Sequence, residues 1–250
     1  MIFKRKIYEK LLKWKEETNG AKALFIEGAR RIGKSTIAEE FAKAEYKSYM
    51  LIDFNDVSEV VTDAFHNYMQ DLDTLFMILS TEYGKELYPG ESLIIFDEIQ
   101  QCSEAVTSLK YFEESERELY LICAGSLLGV ELKKRAVSFP VGKIEHLTMF
   151  PMNFYEFTRA VGGKHFLDML ETMELYREIP SYITEPMLRY LKLYYIIGGM
   201  PEAVQCFSEN KHFNEVREIQ KRILTAYEQD FSKHAPNEIV PRLRECRTMI

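Results

Sequence analysis

Residues 28–36 read GARRIGKST. Two glycines stand five apart, and the second leads straight into Lys34, Ser35 and Thr36. This is the GxxxxGK-Ser/Thr pattern, and each part of it acts on a polyphosphate. Glycine at Gly28 and Gly33 lets the backbone curl until successive N–H groups point inward at phosphate oxygens. A helix starting at Ser35 adds the positive end of its dipole. The Lys34 ammonium suits the β- and γ-phosphates, and the Ser35 hydroxyl suits a magnesium ion bound to them. Gly28, Ala29, Arg30, Arg31, Ile32, Gly33, Lys34, Ser35 and Thr36 are therefore expected to bind ATP together with Mg²⁺. Arg30 and Arg31 admit two readings, as contacts to phosphate or base, or as solvated loop charges.

A second stretch, LIIFDEIQ at 93–100, carries four apolar residues into Asp97 and then Glu98. An aspartate at the end of a strand, following a phosphate loop in this order, reaches the magnesium shell. A carboxylate one residue on can take the proton of a water that attacks the γ-phosphate. Lys34, Glu98 and Ser126 are thus the expected catalytic side chains, and Ser35 and Asp97 the metal ligands. Ser126 follows the apolar run ELYLICAG. It reads either as a γ-phosphate or water contact or as the N-cap of the next helix, and the two roles are compatible. No NKxD-type guanine-reading stretch occurs, which disfavours a GTPase, and no acceptor site for a small-molecule kinase is visible.

The elements that must position these groups alternate. A helix is expected over 6–17, where Ile7, Leu11, Leu12 and Trp14 recur at helical spacing before Asn19-Gly20. Strands are expected at 23–27, 49–54, 92–98 and 118–126, and helices at 35–46, 57–69, 72–83 and 103–115. A short helix and a strand pair would fill 127–148. Continuous apolar strands separated by helices indicate a parallel α/β sheet covered on both faces. After Met149-Phe150-Pro151 the pattern turns helical: 153–160, 165–176, 185–197, 201–208 and 213–233. The expected domains are therefore an ATPase core over 1–152, a helical part over 153–235, and the start of a further region over 236–250.

The chain has 250 residues, enough for one large or two small domains. Its formal charge is −7, from 32 basic and 39 acidic side chains. That argues against nucleic-acid binding through bulk charge and leaves a local basic patch open. The four cysteines are far apart with no zinc-like spacing, as in a protein with reduced thiols. The N-terminus MIFKRKIYEKLLKWK mixes charged and apolar residues and is not a secretory signal. No apolar run approaches the roughly 20 residues a membrane helix needs. A cytoplasmic location without membrane contact is expected.

Taken together, these residues resemble the additional-strand, catalytic-glutamate branch of P-loop ATPases, the AAA+ and STAND-related families. More narrowly, the chain looks like a large prokaryotic group with an N-terminal AAA domain followed by a C-terminal domain of unknown function. The matching pieces are GARRIGKST, LIDFN, LIIFDEIQ, AGS, FPVGKIEHLTMFPMNFYEF (139–157) and YYIIGGMPEAV (194–204). The resemblance runs from about residue 5 to 245. It implies a three-layer P-loop NTPase sandwich with a parallel sheet, followed by an all-α lid in which Gly198, Gly199 and Pro201 form a hinge-like turn. It also implies that 236–250 begins a truncated winged-helix-like region. Longer members of the group continue into a nuclease-like domain. Two departures stand out. Gly142-Lys143 replaces an arginine found in many relatives, and lysine lacks the bidentate fork. No arginine finger is evident; Arg135 is the candidate by position, and a solvated basic turn is the plainer reading.

Three functions are consistent with these residues. The first is an ATP-hydrolysing switch whose lid reports nucleotide state to a protein partner. The second is a STAND-type module that holds nucleotide with little hydrolysis. The third is the ATPase part of a nucleic-acid-acting, nuclease-like protein, suggested by family analogy. A homo-oligomer is compatible with all three.

Overall fold

The computed structural model describes residues 3–114, 118–125, 144–172 and 179–234. The chain divides into two compact units. One comprises Lys6–Ala29 and Gly33–Met149, and the other Met1–Arg5, Arg30–Ile32 and Phe150–Ile250.

The first unit is built on five strands: β1 (Ala23–Glu27), β2 (Ser48–Asp53), β3 (Ser92–Asp97), β4 (Tyr120–Gly125) and β5 (Ile144–Thr148). They form one parallel sheet in the order β2-β3-β4-β1-β5. β4 thus lies between the two strands that lead into the glycine loop and into Asp97-Glu98. Every residue of β3 and of β4 is buried, as their apolar runs require of central strands. The registers level the strand ends. Asp53 of β2 pairs with Asp97 of β3, and Glu27 of β1 with Gly125 of β4.

The helices of this unit are α1 (Ile7–Thr18), α2 (Lys34–Glu45), α3 (Glu59–Tyr68), α4 (Leu72–Tyr83) and α5 (Ser103–Glu114). Their ends follow local chemistry. Ser58 caps α3 by accepting from the Val61 N–H, and Asp71 caps α4 by accepting from the Thr74 N–H. Asn19 ends α1 in the left-handed region at φ 46°. Against the sheet, Phe54, Phe65 and Phe96 meet edge to face, with ring centroids 5.3–5.5 Å apart. Phe112 extends the group from α5. Such pairs add about 0.5–1.5 kcal/mol each beyond the area they bury. Trp14 is buried on α1 and donates its indole N–H to the Lys22 carbonyl at 3.0 Å.

The second unit is helical: α6 (Phe154–Ala160), α7 (Lys164–Glu171), α8 (Ser181–Ile197), α9 (Pro201–Asn210) and α10 (Phe213–His234). Asn153 and Glu156 close a reciprocal capping box on α6. α8 begins at Ser181, four residues before the sequence expectation. Pro186 lies inside it. Proline forgoes one intrahelical hydrogen bond there, and the helix nevertheless continues to Ile197. The small core holds Met152, Phe157, Ile197, Ala203, Val204, Phe207 and Val216.

Polar pins supplement that core. The Met152 N–H donates to the Gly199 carbonyl at 2.7 Å, and the Tyr194 hydroxyl donates to the Met152 carbonyl at 2.9 Å. A Cβ on Gly199 would stand 2.1 Å from the Met152 oxygen, so only glycine permits this approach. Gly198 ends α8 at φ 77°, and Pro201 is the first residue of α9. Arg5 and Glu156 are 7% and 8% exposed, with Nε 3.2 Å from Oε1. The Nε–H is not aligned for a hydrogen bond, so the pairing is ionic. The two Arg5 Nη atoms donate to the carbonyls of Ile32 at 3.1 Å and Phe150 at 2.7 Å.

Candidate functional site

The glycine loop joins β1 to α2. Gly28 at φ 152° and Gly33 at φ 89° both adopt backbone that a side chain would strain. Arg31 shares the left-handed region at φ 61°, which costs a non-glycine residue roughly 1 kcal/mol. Gly33 is the N-cap of α2, so its helix starts at Lys34, one residue before the sequence expectation. Lys34 is only 6% exposed. Its ammonium donates to the carbonyls of Gly28 at 3.0 Å and Ala29 at 2.8 Å, spanning the loop it belongs to. Ala29 and Thr36 are exposed, and Ser35 is partly buried.

The three residues Arg30, Arg31 and Ile32 belong to the helical unit. Within that unit the Tyr227 hydroxyl on α10 donates to the Arg30 carbonyl at 2.7 Å. Arg31 pairs with Glu202 on α9 at 3.5 Å, and Arg222 pairs with the same carboxylate. Ile32 is fully buried. The Arg30 carbonyl and the Arg31 guanidinium are thus engaged by α9 and α10, an arrangement the sequence gives no sign of.

β3 delivers Asp97 beside the start of α2. The Ser35 side chain is hydrogen-bonded to the Asp97 carboxylate. Burial pushes the Asp97 carboxyl above its ordinary range. The Ser35 bond opposes that shift, and the charges of Glu98 and Asp53 add to it. Asp53, at the end of β2, is the level partner of Asp97. Sequence reasoning passed over it, although it stands in the LIDFN stretch at the end of an apolar strand. Three carboxylates therefore gather at the ends of two adjacent strands, and one of them accepts a hydrogen bond from a serine hydroxyl.

Glu98 breaks the strand. Its backbone is left-handed at φ 49°, and a single 3₁₀ turn, Ile99–Gln101, follows. The Glu98 carboxylate accepts a hydrogen bond from the side-chain amide of Gln100. Gln100 is 2% exposed. Its presence in DEIQ was visible, but nothing in the sequence shows that the amide turns back to Glu98. Ser126, Arg135 and Gly142-Lys143 lie outside the described residues, as does 236–250.

Among the described residues, no helix is long and apolar enough to cross a membrane. No group of three or more His, Cys, Asp or Glu side chains is arranged to hold a metal by itself.

Comparison with known proteins fits this geometry. The model of an AAA domain family matches residues 20–158, more than half of the chain. A domain of unknown function, DUF8612, matches residues 188–250. No curated protein sequence matches the chain significantly. Among solved structures, a Walker-type ATPase of Pyrococcus abyssi superposes with a TM-score of 0.52 at 18% identity, over 99% of this chain and 76% of that one. The Holliday junction branch migration motor RuvB of Thermotoga maritima gives a TM-score of 0.47 at 13% identity, over 98% and 70%. The fold is that of P-loop ATPases, a parallel sheet flanked by helices and followed by a helical region, and the chain belongs to the AAA domain family.

Proposed function

We propose that this chain binds ATP with Mg²⁺ at residues 28–36 and hydrolyses it to ADP and phosphate, serving as a nucleotide-dependent conformational switch. The observation that carries this reading is the hydrogen bond between Ser35 and Asp97, with Glu98 next in the chain. A hydroxyl and a buried carboxylate side by side are the two protein ligands expected of a P-loop cation site. The excess of negative charge at Asp53, Asp97 and Glu98 fits a divalent cation. Since no cage of three or more such side chains exists among the described residues, phosphate oxygens and water would complete the coordination. When bound, magnesium would neutralise charge on the β- and γ-phosphate oxygens.

The protein groups divide the remaining work. The loop N–H groups and the dipole of α2 hold the phosphates. Lys34 exchanges its loop carbonyls for phosphate oxygens. Glu98 takes the proton of the attacking water, a role worth about 10²–10⁴ in rate. Ser126 is kept as a contact to the γ-phosphate or that water. Within the helical unit, Glu202 and Tyr227 hold Arg31 and the Arg30 carbonyl, and these contacts are the proposed point at which the lid senses the nucleotide. The segments 1–152, 153–235 and 236–250 are proposed as ATPase core, lid and the start of a further region. A protein partner, in a cytoplasmic setting, would read the lid.

Nucleotide binding and phosphate release, measured for the parent chain, Lys34→Ala and Glu98→Gln, test the reading. Lys34→Ala should lose binding. Glu98→Gln should keep binding and lose hydrolysis. Unchanged phosphate release by Glu98→Gln would remove Glu98 as the base. Tight binding with no release by the parent chain would favour a STAND-type module instead.

A further inference from the structure

Gln100 is buried beside the proposed base, and its amide is divided between two neighbours. The NH₂ group donates to Glu98 Oε2. Among the described residues the amide oxygen has no hydrogen-bond partner, and it lies against Gly125 at the end of β4, where a Cβ would come within 2.7 Å of it. The orientation of the amide follows from charge, because reversing it would put its oxygen against a carboxylate. A buried acceptor without a partner is normally selected against, since it costs about 1–3 kcal/mol. Here the cost is accepted while the donor end serves Glu98.

We propose that Gln100 is a positioning residue for hydrolysis. It fixes the Glu98 carboxylate in one rotamer, and the bare Cα of Gly125 leaves room for the amide that does so. The inference rests on Glu98 being the base. Glu98 itself sits on a left-handed residue at the start of a 3₁₀ turn, so its backbone alone leaves the carboxylate several rotamers. One hydrogen bond from a buried side chain that lies against the end of β4 removes that freedom. β3 and β4 are hydrogen-bonded neighbours, with Phe96 opposite Cys123, so the sheet fixes where Glu98 and Gly125 stand relative to each other.

The test measures kcat and KM for Mg-ATP and the Kd for Mg-ADP, with thermal unfolding as a check. The variants are Gln100→Leu, Gln100→Ala, Gly125→Ala, the Gln100→Ala/Gly125→Ala pair, and Glu98→Gln. Gln100→Leu should lower kcat about tenfold or more and leave KM and Kd within about twofold. Gly125→Ala keeps the amide but displaces it, and should lower kcat in the same way. In the Gln100→Ala background Gly125→Ala should have no further effect, because its target is gone. An unchanged or raised kcat in Gln100→Leu, or an equal effect of Gly125→Ala in both backgrounds, would overturn the proposal. If Glu98→Gln is inactive while Gln100→Leu matches the parent, only this inference fails. If Glu98→Gln turns over normally, or the parent binds nucleotide and releases no phosphate, the base assignment fails and takes the inference with it.

Discussion

The sheet unit and the helical unit are held together by different means. In the first, Phe54, Phe65, Phe96 and Phe112 pack edge to face under two fully buried strands. Its polar groups collect at the strand ends, where Asp53, Asp97 and Glu98 lie. In the second, an apolar cluster around Phe157 and Phe207 is supplemented by Arg5, Glu156, Tyr194 and a glycine contact that joins residues far apart in sequence. Apolar packing tolerates small adjustments of volume. A buried ion pair tolerates the loss of neither partner alone. The first unit should therefore lose stability in proportion to the apolar volume removed, and the second when either charge of its pair is removed alone.

Trp14, the only tryptophan in the chain, reports on the sheet unit. Far-UV circular dichroism reports mainly on helix. Phe96→Ala should cost the most, about 3–5 kcal/mol for a fully buried aromatic, read as an earlier Trp14 transition in urea. Arg5→Met should cost about 3 kcal/mol by leaving Glu156 buried and unpaired. Arg5→Met/Glu156→Leu should recover most of that loss. If the double variant is worse than the single, the pair is not the pin it is taken for. Asn153→Ala removes one half of the capping box and should cost about 1 kcal/mol.

The smallest effect is a gain. The carboxyl of Asp97 holds its proton more tightly in the folded chain than at its ordinary value near 3.8, chiefly through burial. Folding therefore binds a proton, and stability falls as pH rises from 3.8 through the raised folded value. Asp97→Asn removes that loss. It should raise the melting temperature of the metal-free, nucleotide-free chain at neutral pH while weakening Mg-nucleotide binding. A lower melting temperature would mean that the Ser35 bond outweighs desolvation.

Much of the sheet unit was legible because its signals are local. The run LIIF suits a covered parallel strand, and GxxxxGK-Ser/Thr suits a phosphate loop. The helices at 59–68 and 72–83 fall within two residues of expectation, while their caps, Ser58 and Asp71, emerge only in the structure. The start of α8 does not fall so close, because Pro186 suggests a boundary that the helix runs through. The grip of Tyr227 on Arg30, 197 residues away, and of Arg5 on Phe150, 145 residues away, is set by tertiary packing and has no local sign. Gln100 is a third kind of case. Its residue type was in view, and its role depends on a rotamer and on the missing side chain of Gly125.

The strand order has a consequence for synthesis. β1 is paired on one side with β4 and on the other with β5, and neither neighbour precedes it. Residues 23–27 leave the ribosome long before residues 120–125 exist. At about 5–20 residues per second, that interval lasts roughly 5–20 s. Throughout it, the apolar stretch Ala-Leu-Phe-Ile, with an unpaired backbone on both edges, is open to pairing with other nascent chains. Among the described strands, the one that presents the nucleotide loop thus waits longest for a neighbour while the protein is being made.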